Sequence, residues 1–315
     1  MALYSIIIPC YYNEENIPIT SQALIANEAA FPADTQFEYI LVDDGSGDKT
    51  WLAMQNFYQQ YPDKVKLIKL ARNFGANSAS LAGMAQAQGD CITVIAADMQ
   101  DPPELLVQMF EHWQKGIKLV VANRSNRADS FWGDLIANFF HYLMRKVAIP
   151  NTPKGGFDLC LFDQQVLKQL LAQDTRDVYW SYLLLWMGYT YVNIPYERRK
   201  REIGVSRWTF AKKVKSFIDN FVSFSFFPIR IISITGILLG AAAMLYALVI
   251  IVSKIMGHID ETGWSSLMVV LLLVSSFQMI SLGIIGEYVW RTLQSARQRP
   301  NYIIETQTHL EKKVE

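Results

Sequence analysis

Charge is scarce in this chain. Asp, Glu, Lys and Arg make up 18% of its 315 residues, with 29 of each sign and a formal net charge of zero. Soluble domains carry about 25%, so the shortfall points to a stretch that lives outside water. The missing basic excess argues against a nucleic-acid partner. Cysteine is scarce too: Cys10, Cys91 and Cys160 are odd in number and widely spaced. They build neither a disulfide framework nor a metal cluster, and read as buried thiols in a reducing compartment. No G-x-G-x-x-G follows the first apolar run, and no G-x-x-x-x-G-K-[ST] occurs anywhere. A dinucleotide oxidoreductase and a P-loop NTPase are thereby disfavoured. Met1–Pro9 lacks the basic start of a signal peptide, and Asn13, Glu14 and Glu15 follow it too soon. Repeats and low-complexity segments are absent. Aromatic residues, in contrast, reach 13%, which excludes a disordered chain.

The composition changes near Pro228. Ile231 to Ser253 and Thr262 to Gly286 carry no charged residue, and about 20 apolar residues suffice to span a bilayer. Two transmembrane helices are expected, over about 231–253 and 264–288. The alternative is a pair of buried core helices. Neither run holds an ionisable residue to line a path, which disfavours a transporter. Lys212, Lys213, Lys215 and Arg230 precede the first run, and Arg291, Arg297 and Arg299 follow the second. The link between them has only Lys254. Cationic flanks stay in the cytoplasm, so a multi-pass protein with both termini cytoplasmic is expected. Phe210, Val214, Phe217, Phe221 and Phe224 recur every three or four positions. They share one helical face, as in a helix lying at the headgroup layer or one packed on a soluble domain. Gly236, Gly240, Ala241, Ala242 and Ala243 would permit close helix packing, or are ordinary membrane composition.

Residues 1–200 alternate differently. Apolar, β-branched runs occur at Tyr4–Pro9, Tyr39–Val42, Val65–Leu70, Cys91–Ile95 and Leu119–Ala122. Helix-length segments separate the first four, at roughly Asn16–Ala30, Lys49–Tyr61 and Ala76–Gln88, with a fourth at Pro103–Lys115. Strand alternating with helix implies an α/β fold with a mostly parallel, covered sheet. Such sheets bind ligands beyond the carboxyl ends of their strands. Polar motifs lie at these ends: Pro9-Cys10-Tyr11-Tyr12-Asn13-Glu14, Asp43-Asp44-Gly45-Ser46-Gly47-Asp48-Lys49-Thr50, Arg72-Asn73-Phe74-Gly75, and Ala96-Ala97-Asp98-Met99-Gln100-Asp101-Pro102-Pro103-Glu104. Any one could be a helix cap or a turn. Four in succession on one sheet edge point to a shared polar ligand site. Asp98 beside the amide oxygen of Gln100 suits a hard divalent cation.

In this order, the motifs P-x-Y-(Y)-N-E, D-D-G-S-x-D-x-T, R-N-F-G and D-x-Q-x-P-P-E resemble glycosyltransferase family 2. Within it, the chain is most similar to the polyprenyl-phosphate glycosyltransferases, such as dolichol-phosphate mannose synthases and bactoprenol glucosyltransferases. The apolar helix pair resembles the latter. The resemblance implies a GT-A (Rossmann-like) catalytic domain over 1–208, an interfacial helix over 209–228, two transmembrane helices within 229–290 and a cytoplasmic tail over 291–315. It implies an inverting transfer of a sugar, glucose by preference, from a UDP-sugar to polyprenyl phosphate, with Mg2+ or Mn2+, in a membrane-bound homo-oligomer, a tetramer. By the same resemblance, Pro9, Tyr11, Asn13 and Glu14 contact the nucleoside. Asp43 and Asp44 bind base and ribose with Ser46 nearby, Arg72 sits beside the nucleotide, and Asp98 and Gln100 hold the metal. Asp158 falls at the acceptor-side catalytic position. Arg124 and Arg127 follow the next strand. Arg198, Arg201, Ser206 and Arg207 match R-x-x-R-x-x-G-x-S-[KR]-[WY], which meets phosphate at the membrane or forms a basic collar on anionic lipid. One departure stands out: Ala96 occupies the first acidic position of the usual D-A-D-L-Q. It leaves open a catalytically impaired scaffold that binds nucleotide sugar. A processive polysaccharide synthase would carry Q-x-x-R-W, but Gly204 stands where that motif needs Gln.

Overall fold

The computed structural model describes residues 1–124, 142, 144–150, 152–153, 157, 159–173, 178–199, 219, 221–256, 263–297 and 299–308. The chain divides into two compact units, Met1–Asn220 with Pro300–Glu315, and Phe221–Arg299.

The first unit is built on one eight-stranded mixed sheet in the order β7-β5-β6-β4-β1-β2-β3-β8. The strands are β1 Ala2–Cys10, β2 Thr35–Asp43, β3 Val65–Leu70, β4 Cys91–Val94, β5 Leu119–Arg124, β6 Leu159–Asp163, β7 Tyr191–Tyr196 and β8 Ile304–Gln307. Its centre, β4-β1-β2-β3, is parallel, as the strand–helix alternation predicts. Antiparallel strands flank it: β6 pairs with β4 and β5, and β8 with β3. Helices α1 Asn16–Asn27, α2 Thr50–Gln60, α3 Ala76–Met84, α4 Glu104–Gln114, α5 Gln164–Ala172 and α6 Trp180–Trp186 connect or follow the strands. Each of the first four lies inside its expected segment.

Helices cover both faces of a parallel sheet, so its strands run apolar throughout. Ile6, Ile7 and Ile8 are all buried, although they alternate faces. One face carries an aromatic cluster: the Tyr4 ring lies 5.6 Å from Phe110, and Phe31 lies 5.0 Å from Phe37. Truncating such a ring to Ala costs about 3–5 kcal/mol. On the other face α3 comes close, since a Cβ on Gly83 would lie 2.4 Å from an Ile7 methyl. A buried ion pair also sits within the sheet. Lys66 Nζ lies 2.5 Å from Glu38 Oε1, and Glu38 Oε2 accepts from Ser5 Oγ and from the Gln88 N–H at 2.9 Å. These contacts tie the α3–β4 connection to the sheet.

The second unit holds two long helices, α7 Phe227–Ile255 and α8 Trp264–Ala296. They contain the first charge-free run and, from Trp264 on, the second, and at 1.5 Å per residue reach about 44 and 50 Å. Both are long and apolar enough to cross a membrane. Their side chains are largely exposed, Ile237, Leu245, Met279 and Leu282 among them. A soluble core pair would bury those residues. Gly236 lets α7 approach Phe277 of α8, a Cβ there meeting the ring at 3.8 Å. Near the end of α8, Arg291 pairs with Glu287 at 2.9 Å and donates to Ser223 Oγ at 2.9 Å. Tyr288 Oη donates to the Ser225 carbonyl at 3.1 Å. Residues 221–224 are helical, with Phe221 buried and Phe224 half-buried. Phe210, Val214 and Phe217 of the expected interfacial helix lie outside the described residues.

The segment after α8 has an unexpected place. Leu67 N–H donates to Thr308 Oγ1, Thr308 N–H to the Leu67 carbonyl, and Ala71 N–H to the Ile303 carbonyl. Lys69 pairs with Glu305 at 3.0 Å. The chain thus leaves the sheet unit, forms the helix pair and returns to the edge of the same sheet.

Candidate functional site

The carboxyl ends of β1, β2, β3 and β4 lie side by side, and the expected site residues gather there in two clusters. The first joins the loops after β1, β2 and β3. After β1 the chain turns at Tyr12, whose φ is 55°. Tyr11, half-buried, packs its ring edge-on against Tyr12 with centroids 4.7 Å apart. Asn13 is mainly a loop organiser. Its Oδ1 accepts from Tyr11 N–H at 2.8 Å, its N–H donates to Thr50 Oγ1 at 2.8 Å, and its carbonyl receives the first amides of α1. Glu14 likewise accepts from the Lys49 N–H at the start of α2. Pro9, at the end of β1, is half-buried. Ser46 Oγ accepts from Tyr12 N–H at 3.0 Å and joins the two loops.

Asp43 and Asp44 are both buried, yet they differ. Asp44 braces the fold with both of its oxygens. Its Oδ1 accepts from Phe74 N–H at 2.7 Å and its Oδ2 from Gly75 N–H at 2.9 Å, clamping the turn that opens α3. Burial pushes its carboxyl up to about 6, against the pull of those two amides. Asp43 keeps acceptor capacity. Its Oδ1 takes the Ser46 N–H at 3.0 Å, while Oδ2 is buried with no partner among the described residues. Burial raises this carboxyl as well. An orphaned carboxylate oxygen costs free energy, and a donor from a bound molecule would satisfy it. Gly45 allows the crowding. Its φ is +68°, and a Cβ there would meet the Arg72 carbonyl carbon at 2.5 Å. Arg72 itself is exposed and lies 4.1 Å over the Phe74 ring.

The second cluster follows β4, which is adjacent to β1. Asp98 Oδ1 accepts from Gln100 N–H at 3.3 Å across Met99, whose φ is 54°. Asp101 is buried at 4% exposure; it accepts from Tyr196 Oη at 2.5 Å and pairs with Arg198 at 3.4 Å. The sequence places Asp101 inside the fourth polar motif without marking a role for it, and nothing in the sequence singles out Tyr196. Arg124 ends β5, half-buried. Asp158, Arg127, Arg201, Ser206 and Arg207 lie outside the described residues.

The donor set fits a divalent cation only in company. Among the described residues, no group of three or more His, Cys, Asp or Glu could hold an ion by itself. Asp98 and Gln100 supply two hard oxygens. Mg2+-type sites commonly have this form, with one or two protein ligands and the rest from phosphates and water.

The sequence matches the family described as Glycosyl transferase family 2 over residues 5–171. An uncharacterized glycosyltransferase of Bacillus subtilis is 33% identical, covering 98% of this chain and 95% of that protein. A prophage bactoprenol glucosyl transferase homolog of Escherichia coli is 31% identical, over 95% of this chain and 97% of its own. The bactoprenol glucosyl transferase of Shigella phage SfV is 29% identical, over 96% and 98%. In all three, the likeness runs through the helix pair as well as the sheet unit.

Proposed function

The chain belongs to glycosyl transferase family 2, and from that premise we propose that it transfers a sugar, glucose by preference, from a UDP-sugar to polyprenyl phosphate at the cytoplasmic membrane face. The observation that carries this reading is the unpartnered, buried Asp43 Oδ2 at the carboxyl end of β2, on the same sheet edge as the Asp98–Gln100 turn after β4. The near full-length likeness to bactoprenol glucosyl transferases supports the lipid acceptor. Asp43 Oδ2 accepts an N–H of the base, and Tyr11 and Ser46 flank it. Asp44 shapes this pocket by holding the Phe74–Gly75 turn. Asp98 and Gln100 would hold Mg2+ or Mn2+, which would supply positive charge for the diphosphate leaving group.

The acceptor needs little activation. A phosphate monoester has its second pKa near ~6, so most of it is a dianion at neutral pH. One of its oxygens bonds to the anomeric carbon as the bond to UDP breaks, and configuration inverts. Asp158 orients the acceptor or takes its last proton, and the arginines at 124, 127, 198, 201 and 207, with Ser206, supply donors for phosphate. The apolar helix pair brings the enzyme to a lipid that cannot leave the bilayer cheaply, at about 0.8 kcal/mol per buried CH2. The return of β8 to β3 supports a hairpin whose two ends share one side.

The test incubates the full chain with undecaprenyl phosphate, Mg2+ or Mn2+, and labelled UDP- and GDP-sugars. Label should enter the organic phase from a UDP-sugar, and EDTA or Asp98→Ala should abolish it. Absence of transfer from every donor would reject this reading. Ala96 favours a second one, a nucleotide-sugar-binding scaffold. It predicts tight UDP binding without turnover, and transfer restored by Ala96→Asp.

A further inference from the structure

Asp98 and Gln100 flank Met99, a non-glycine residue in the left-handed region. Such a conformation costs of order 1–3 kcal/mol and persists only where its surroundings over-determine it. The surroundings here come from the end of β7. Tyr196 Oη donates to Asp101 Oδ1 at 2.5 Å, and Arg198 Nε lies 3.4 Å from the same oxygen. Arg199 N–H donates to the Gln100 carbonyl at 2.9 Å, and its guanidinium reaches both oxygens of Glu104 at 3.1 and 3.2 Å. Gln100, Asp101 and Glu104 are thus all held from one neighbouring segment, residues 196–199. Tyr196 and Asp101 are both buried, at 7% and 4% exposure, where a hydrogen bond to a carboxylate is strong. Pro102 and Pro103 stiffen the far side, since each fixes its own φ.

We propose that Tyr196 and Asp101 are positioning residues that fix the Asp98–Gln100 loop and so set its affinity for a divalent cation on a nucleoside diphosphate. The proposal rests on the reading of Asp98 and Gln100 as the cation-holding pair. It adds a consequence: the strand that holds the metal loop runs directly into the arginine segment beginning at Arg198. Donor-side geometry and acceptor-side charge are mechanically joined through Asp101.

The test titrates Mn2+ into the full-length protein saturated with UDP, with no sugar and no acceptor, and follows free Mn2+ by its EPR signal. Tyr196→Phe keeps the ring and removes one hydrogen bond to a charged group, so half-saturating Mn2+ should rise about tenfold. UDP affinity without metal should stay unchanged, and saturating Mn2+ should restore turnover. Asp101→Asn keeps an acceptor for Tyr196 but loses the charge facing Arg198, and should raise the half-saturating concentration several-fold. Trp113→Phe removes a comparable bond, to Asp163 at 3.0 Å, and should change nothing. Unaltered Mn2+ affinity in Tyr196→Phe would overturn the proposal. So would loss of UDP binding in that variant, which would mark Tyr196 as a general fold contact. Failure of the wild-type protein to take up Mn2+ with UDP would instead remove the cation reading of Asp98 and Gln100, and the proposal with it.

Discussion

Gly45→Ala should open the first cluster of the site, and its effect can be built from the geometry. The added Cβ would sit 2.5 Å from the Arg72 carbonyl carbon and 2.7 Å from Asn73 N. These are backbone atoms, which cannot swing aside like a side-chain tip. Holding Ala at φ +68° adds about 1–2 kcal/mol, and forcing apart a packed contact adds about 1–3 kcal/mol. Together they weaken the closed loop by roughly 2–5 kcal/mol. At about 1.4 kcal/mol per decade, its opening should become roughly thirtyfold to several thousandfold more frequent. Hydrogen exchange on the full protein reads this directly. The amides of Phe74 and Gly75, bonded to Asp44 at 2.7 and 2.9 Å, should lose protection by that factor. Gly116 supplies the internal control, since its φ is +89° and no atom lies within 4 Å of its Cβ position. Gly116→Ala carries the backbone cost without the collision, and should leave the 70–78 peptides unchanged. Equal protection of these peptides in Gly45→Ala and wild type would refute the close approach of the two loops.

Asp44 predicts a pH dependence. Its folded pKa, about 6, lies above the ordinary 3.8, so the folded state binds the extra proton between these values. Its contribution to stability is full below about 4 and is lost as pH rises through 6. Unfolding midpoints of wild type and Asp44→Asn, compared from pH 4 to 7, should fall more steeply in wild type, the remaining slope of the variant belonging to Asp43, which burial also raises; parallel curves would contradict it. Breaking the Glu38–Lys66 pair by Lys66→Met should cost about 3–5 kcal/mol, because it strands a buried charge. The double variant Glu38→Gln with Lys66→Met, which removes the charge and keeps an acceptor for Ser5 and the Gln88 N–H, should recover much of that loss in a urea titration, and no recovery would count against a charge effect. Removing residues 300–315 should leave the β3 edge unpaired and speed amide exchange at Leu67 and Ala71; unchanged exchange would place β8 elsewhere.

The parallel centre of the sheet was legible because its signal is local. Val65–Leu70 is apolar along its length except for lysines and follows a helix-length segment, so its burial shows in sequence. Strands β6, β7 and β8 are different. Their pairing with distant partners depends on contacts that leave no periodic trace, and Ile304–Gln307 reads as a polar tail. Lys66 and Glu38 would pass for surface charges; only the fold brings them together with Ser5. The site was legible in place more than in role. Asp43, Asp44, Asn13 and Glu14 do converge, but Asn13, Glu14 and Asp44 each accept from backbone amides, as N-caps and turns do. The distinction between an acid that binds a ligand and one that builds the loop depends on where the neighbouring N–H groups point.

The return of β8 to β3 also sets an order of events during synthesis. Residues 304–307 follow α8 in the chain, so they leave the ribosome after both apolar helices. Until then the β3 edge has no partner on that side, and the sheet is one strand short. The nascent sheet unit therefore completes itself only after the helix pair has been delivered, and the last strand acts as a seal applied when the rest of the chain is in place.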